Sequence, residues 1–296
     1  MKKVCCVFFI FSLLFFSPAW SELLSFDLKL TNGYRSDSLN TQRKFLKAYE
    51  SSFSNDQLKL RSISLYQVGF KANLCLLSLF VHLDADYAWA GSGGWKEIQH
   101  LYSQQHARFE SSKLKGMTKD AILGVGYQFN LIPFYRLITL RPMLGWSYHE
   151  QHFKTSHLKA RINDVSKTAN LGYSNHWEGP WAGINLKGFL DEFSIDLGYE
   201  YHWGNWQSKK NIHGLQALKD QLARKGWSKH THGQVFYIDA TWHFNLCWYI
   251  GLGLKLQEWK VAQEKLKSPN ESVLNEKSHH TAWQSFAATI DIGFGI

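Results

Sequence analysis

Past its first twenty residues the chain never runs through the roughly 18 uncharged apolar residues that a membrane-crossing helix needs. Helical membrane spans are therefore excluded. Proline is scarce, with 5 in 296 residues, so little interrupts long hydrogen-bonded strands. Cysteine is scarce too. Of the 4 present, Cys5 and Cys6 fall in the N-terminal apolar segment, which leaves Cys75 and Cys247. Each lies beside an expected short turn, so two separate thiols are expected rather than a bridge. Acidic residues fall short of basic ones, 24 against 33, for a formal net charge of +9. No glycine-rich nucleotide loop, Walker-type lysine or serine-nucleophile elbow occurs, which removes the usual signals of nucleotide-driven and serine-hydrolase chemistry.

Aromatic side chains, by contrast, are abundant: 13 Trp, 13 Tyr and 20 Phe. A soluble fold would need a very large core to hide them, whereas a membrane barrel turns many outward as interfacial girdles. The N-terminus fits export. Lys2 and Lys3 precede an apolar run, Val7 to Phe16, and Ser17-Pro18 breaks it before Ala19-Trp20-Ser21. The run is too short to anchor, so residues 1–21 read as a signal peptide cut after Ser21, with 22–296 as the mature domain. No cysteine follows the small residues, so no lipid-modified terminus is expected. Removing Lys2 and Lys3 leaves a charge of about +7, since 9 less 2 is 7. For an exported protein, anionic lipid or lipopolysaccharide is a more natural partner than nucleic acid.

The decisive pattern is period-two alternation. Phe286, Ala288, Ile290, Ile292, Phe294 and Ile296 interleave with Ala287, Thr289, Asp291, Gly293 and Gly295. The same habit recurs at 193–203, 236–244, 248–255, 79–89, 123–129 and 66–72, with charged residues such as Asp84, Asp86, Asp196, Glu200 and Asp239 confined to one parity. A charge at the lipid midplane costs roughly 2–4 kcal/mol, so that confinement separates a lumen face from a lipid face. Short connections are expected near Ala72–Leu76, Asn130–Phe134, Leu190–Glu192 and Asn245–Cys247, and long polar loops at 36–58, 93–118, 153–176, 205–232 and 260–281. The fold class that follows is all-β: a transmembrane antiparallel up-and-down barrel of about ten strands, in a bacterial outer membrane, with the short turns periplasmic. Leu215, Leu218 and Leu222 have helical spacing within one loop.

Three stretches resemble the omptins, ten-stranded outer-membrane barrels whose members are surface proteases. They are GSGGW (Gly91 to Trp95), LRPMLGWSYHEQHF (Leu140 to Phe153) and WEGPWAGINLKGFLDEFSIDLGYEYHWGNW (Trp177 to Trp206). The chlamydia-type outer-membrane proteins built on the same barrel fit equally. The resemblance implies an Asp-His pair facing two aspartates across a water. That arrangement needs a base with an orienting carboxylate and an opposing acid within hydrogen-bond reach. Counted without gaps, the first pair falls on Asn211 and His213, so the orienting acid is an amide. The second falls on Ile98 and His100, neither a carboxylate. Asp84 and Asp86 have the right mutual spacing but precede the glycine run, which places them mid-strand in the lumen.

The resemblance also implies a lipopolysaccharide clamp on the outer wall, at Tyr148, Glu150, His152, His176 and, near Trp227, Lys229. Histidine replaces arginine there, a weaker phosphate partner at neutral pH. His230, His232, His279 and His280 are loop neighbours without a convergent ligand set, so no metal and no cofactor are expected. Three functions stay open. They are a non-enzymatic surface barrel acting in adhesion, envelope structure or contact with a host or envelope protein through its loops; an omptin-like endopeptidase with altered catalytic groups; and a narrow pore.

Overall fold

The computed structural model describes residues 24–46, 53–100, 106–111, 113–131, 137–162, 165–213, 224–261, 265–267 and 276–296. The expected signal peptide and the leucine-spaced segment 215–222 lie outside these. The strands are β1 (Leu24–Leu46), β2 (Phe53–Leu76), β3 (Leu79–His100), β4 (His106–Ser111), β5 (Leu114–Tyr127), β6 (Phe129–Asn130), β7 (Ile138–Ile162), β8 (Val165–Leu190), β9 (Phe193–His213), β10 (Arg224–His243), β11 (Trp248–Val261), β12 (Lys265–Lys267) and β13 (Glu276–Gly295).

β3 pairs in succession with β4 and β5, and β7 with β4, β5 and β6, so these three short strands make one stave. β12 likewise extends β11 along β10. The thirteen strands are thus ten staves, every one antiparallel to its neighbours. β13 pairs with both β1 and β11, and this closes the sheet. Closure removes every free edge, the condition for backbone to stand in hydrocarbon.

One face of each stave carries exposed apolar side chains: Leu30, Leu144, Leu252 and Ile290 are each about 60% exposed. They form the lipid-facing band. Tyr34, Tyr66, Trp89, Tyr201 and Trp203 cap it at one end, and Phe193, Trp242, Phe244 and Trp248 at the other. Opposite parity points inward as expected, with Asp84, Asp86, Glu200, Asp239 and Asp291 buried.

The expected long loops are a correction. β7 has 25 residues and β8 has 26, whereas a tilted strand crosses a bilayer in about 9–11. The staves therefore continue as paired β-structure well past the outer aromatic cap, through most of 36–58, 93–118 and 153–176. The alternation does not stop there; its chemistry inverts. On β8, Leu171, Tyr173 and Trp177 point inward and are buried, while Ser174, His176 and Glu178 point outward. On β9, Trp206 and Ile212 point in and Gln207, Lys209 and Asn211 point out. Below the cap, lipid outside takes the apolar parity. Above it the outside is water, so the apolar parity turns to the interior.

The first short connection also shifts. It is the two-residue turn Leu77–Ser78, with φ of 52° and 84°, rather than Ala72–Leu76. Two positive φ values suit a two-residue hairpin, but Leu-Ser carries none of the Asn-Gly chemistry that announces one. Leu190–Glu192 is as expected, with Asp191 at φ 51°. At Asn245–Cys247 the Asn245 side chain accepts hydrogen bonds from the Cys247 and Trp248 N–H groups, at 2.9 and 2.7 Å. Glycine is required where an aromatic ring lies flat on the inner wall: a Cβ on Gly198 would sit inside the Tyr237 ring.

Candidate functional site

Two zones fill the lumen. The lower, within the membrane band, is ionic. Lys255 on β11 reaches Asp84 and Asp86 on β3, 3.1 Å from each. Lys29 and Lys71 both contact Asp239, at 3.2 and 3.0 Å, and Lys29 lies 3.5 Å from Asp291. Arg35 bridges Asp37 and Asp120 at 2.8 and 2.6 Å, and His149 approaches the second oxygen of Asp120 at 3.0 Å. His202 spans Glu200 and Ser147, at 3.0 and 2.9 Å. Paired charges offset one another in this buried zone, where an unpaired one would be costly. The gap left among the lowest of these groups is about 40 Å³, room for a few waters, and it shares Asp27, Asn73, Arg141 and Lys187 with the cavity at the periplasmic mouth.

The upper zone is dry. Trp177, Trp259 and Trp283 pack with ring centroids 5.4 to 6.2 Å apart. Trp206 adds to Trp177 at 6.4 Å, and Arg35 covers Trp283 from below at 5.2 Å. Leu39, Leu60, Ile63, Phe153 and Val235 complete the packing, each at 2% exposure or less. The indole cluster packs across the lumen between the ionic zone and the outside. Higher still, Glu97 on β3 and Lys210 on β9 form an ion pair across the lumen, with the Trp95 indole N–H donating to Glu97 at 3.3 Å.

Of the family-equivalent catalytic positions, Asn211 and Ile98 have described side chains, and both lie on the outer wall. Asn211 is exposed on the outer wall of β9, and Ile212 takes the inward place. Ile98 likewise has outward parity, beside inward Glu97. Asn211 and Ile98 thus point away from each other across the barrel, one residue out of step with the lumen. The side chains of His100 and His213 lie outside the described ones. Asp84 and Asp86 stand mid-strand in the ionic zone, held by Lys255. Glu97, which the sequence offers as a single acid beside the expected pair, faces Lys210; that lysine was missed by counting, and strict parity from His202 would have found it.

The expected lipopolysaccharide residues share the outer wall just above the aromatic cap. Glu150 stands directly opposite His176, whose ring lies 4.8 Å from Tyr148 and 3.3 Å from the Glu178 carboxylate. Lys119 reaches Glu150 at 3.4 Å. His152 flanks them on β7, while Lys229 is exposed three staves away on β10. Lys119 is the cation that sequence counting did not single out. At the periplasmic mouth a cavity of about 700 Å³ is lined by Arg141, Lys187, Phe189, Cys75 and Cys247, and both cysteines are free thiols.

A closed ten-stave barrel with a lipid-facing apolar band, two aromatic girdles and a charged interior is an integral outer-membrane β-barrel. The chain belongs to the Pom family, Protochlamydia outer membrane protein, whose profile matches residues 29–296. In structure it is similar to the outer membrane protease OmpT of Escherichia coli, at 10% identity, over 92% of this chain and 97% of that one, with a TM-score of 0.73. At that identity the likeness shows the omptin-like fold alone. The toluene transporter TbuX of Ralstonia pickettii matches at 10% identity over 92% of this chain and 89% of that one, with a TM-score of 0.36, too low to bear on the architecture. No curated protein sequence matches the chain.

Proposed function

We propose that this protein is a non-enzymatic surface barrel that works through the outer face of its extracellular β-extension, in adhesion or envelope contact, and not through its lumen. The observation that carries this reading is the indole packing of Trp177, Trp259 and Trp283, which among the described residues fills the upper lumen where a peptide or solute would have to enter. A peptidase of the omptin type needs opposed acid and base groups around a water; above the indole cluster the described facing pair is a lysine and a glutamate bound to each other, and the histidine–carboxylate pairs Asp120–His149 and Glu200–His202 lie beneath it, buried in the ionic zone. Lipopolysaccharide contact runs through Lys119, His152, His176 and Lys229, at the height of its phosphates. The chain reaches the outer membrane by export, with residues 1–21 removed.

Two measurements on refolded protein test the reading together. Planar-bilayer recording is expected to show no steady conductance steps. Incubation with lipopolysaccharide and a basic fluorogenic peptide is expected to release no fluorophore. Steady steps would make the protein a pore, and cleavage abolished by His213→Ala would make it a protease; either result overturns the proposal.

A further inference from the structure

The outward parity of the staves above the aromatic cap is unevenly charged. On the contiguous wall formed by β2, β3, β4, β5 and β7, register sets basic residues directly opposite one another: Lys59 against Lys96, Arg108 against Arg161, and Lys115 against Lys154. Like charges on facing strand positions destabilise the pairing, yet here three such pairs stand side by side. Glu110 answers some of this charge: it takes Arg108 at 2.8 Å and Lys96 at 3.8 Å. The Arg108 hydrogen bond also holds the Glu110 carboxyl below the usual range. Among the described residues Lys59, Lys115, Lys154 and Arg161 have no carboxylate partner. A charge arrangement that works against the fold fits an external polyanion that offsets it.

The height and surface of the wall narrow the ligand. Lys154 stands eight residues above Trp146 on β7, which is exposed in the lipid-facing band. Strands tilted about 45° rise about 2.3 Å per residue along the membrane normal, so Arg161, seven residues beyond Lys154 on β7, stands about 16 Å higher, and a ligand that spans both must extend outward past an interfacial layer of roughly 5–8 Å. Lys59, Gly94, Lys96, Arg108, Lys115 and Lys154 present no outward Trp, Tyr or Phe between them. Proteins that hold single-stranded nucleic acid stack its bases on such rings. What remains is a chain with anions along its length and no bases to stack.

We propose that this wall binds a linear polysaccharide carrying sulfate or phosphate esters, held by the three facing basic pairs; this rests on the surface-contact reading above. The test uses the full mature barrel in detergent micelles, its folding verified by heat-modifiable migration. Calorimetry with a heparin-derived octasaccharide and with deacylated lipopolysaccharide oligosaccharide separates a sulfated source from a phosphorylated one. A hyaluronan octasaccharide supplies carboxylates alone, and a single-stranded oligonucleotide supplies matched charge. Binding of either ester-bearing sugar is expected, weakening linearly in a log–log plot against salt as counterions are released. The set K115E, K154E and R161E is expected to weaken it about tenfold or more. The set K209E, K225E and K260E, on β9, β10 and β11 away from this wall, changes the net charge equally and is expected to have a much smaller effect. If charge reversal blocks refolding, K115Q, K154Q and R161Q serve instead.

Absence of binding to both ester-bearing sugars, equal loss in the two variant sets, or tighter binding of hyaluronan or the oligonucleotide overturns the proposal. Because the same preparation enters the conductance and peptide assays, a silent barrel that ignores these sugars sinks this inference alone. Conductance or cleavage sinks the functional reading and leaves the binding result standing.

Discussion

Lys255 touches both Asp84 and Asp86 inside the membrane zone, so it offsets two carboxylates at once. Lys255→Met keeps the stem and removes the charge, leaving two acids buried together. Breaking a buried pair in this way costs about 3–5 kcal/mol; the urea midpoint of the refolded barrel measures it, and an unchanged midpoint would show the carboxylates to be satisfied elsewhere. Lys96→Met at the half-exposed contact with Glu110 serves as the contrast, worth about 0–1 kcal/mol. Gly198→Ala places a methyl inside the Tyr237 ring and is expected to cost about 1–3 kcal/mol through overpacking, with partial recovery when Tyr237→Ala is added. At this scale the sequence told which residues face inward, because lipid penalises a charge on the other parity. It did not tell which inward charges meet, since Lys255 and Asp84 lie 171 residues apart.

The elements divide at the outer aromatic cap, and that division decides what each stave does. Where the alternation kept one chemistry, as in Phe193 to Trp203, the strand was legible. Where inside and outside exchanged chemistry, as in Trp177 to Leu171, the run looked like a polar loop, because outward lysines and serines mask an apolar parity that now points to the interior. The indole cluster is made by that hidden parity. Trp177→Ala and Trp283→Ala are each expected to cost about 3–5 kcal/mol. The double variant is expected to show conductance steps in planar bilayers where the parent shows none. A stable, silent double variant would mean that the seal lies elsewhere in the tube. Parity also bears on the acid and base positions that the resemblance implied: a shift of one residue in an ungapped count moves a side chain from lumen to outer wall, and Asn211 and Ile98 have outward parity.

For the whole molecule, closure of β13 onto β1 is what makes the lipid face continuous. Leu144→Arg, on that face, is expected to lower stability by about 2–4 kcal/mol, read from the same urea titration. A negligible change would place Leu144 outside the bilayer. Terminal sequencing of protein purified from outer membranes is expected to begin at Glu22, and retention of residues 1–21 would remove the export reading. The barrel of about ten strands was legible from the alternation of four short turns with five long polar stretches and from the absence of any apolar helix, the alternating segments themselves numbering seven.

By itself the sequence determined that the chain is a barrel and which parity of each membrane segment faces lipid, because a bilayer imposes the same two-residue rule on every stave independently. Only the tertiary structure decided that the loops are strands, that tryptophans seal the upper lumen, and that basic residues of neighbouring strands stand face to face. Those facts depend on register between segments far apart in the chain, and register is set by the pairing of the closed sheet, which no single segment contains.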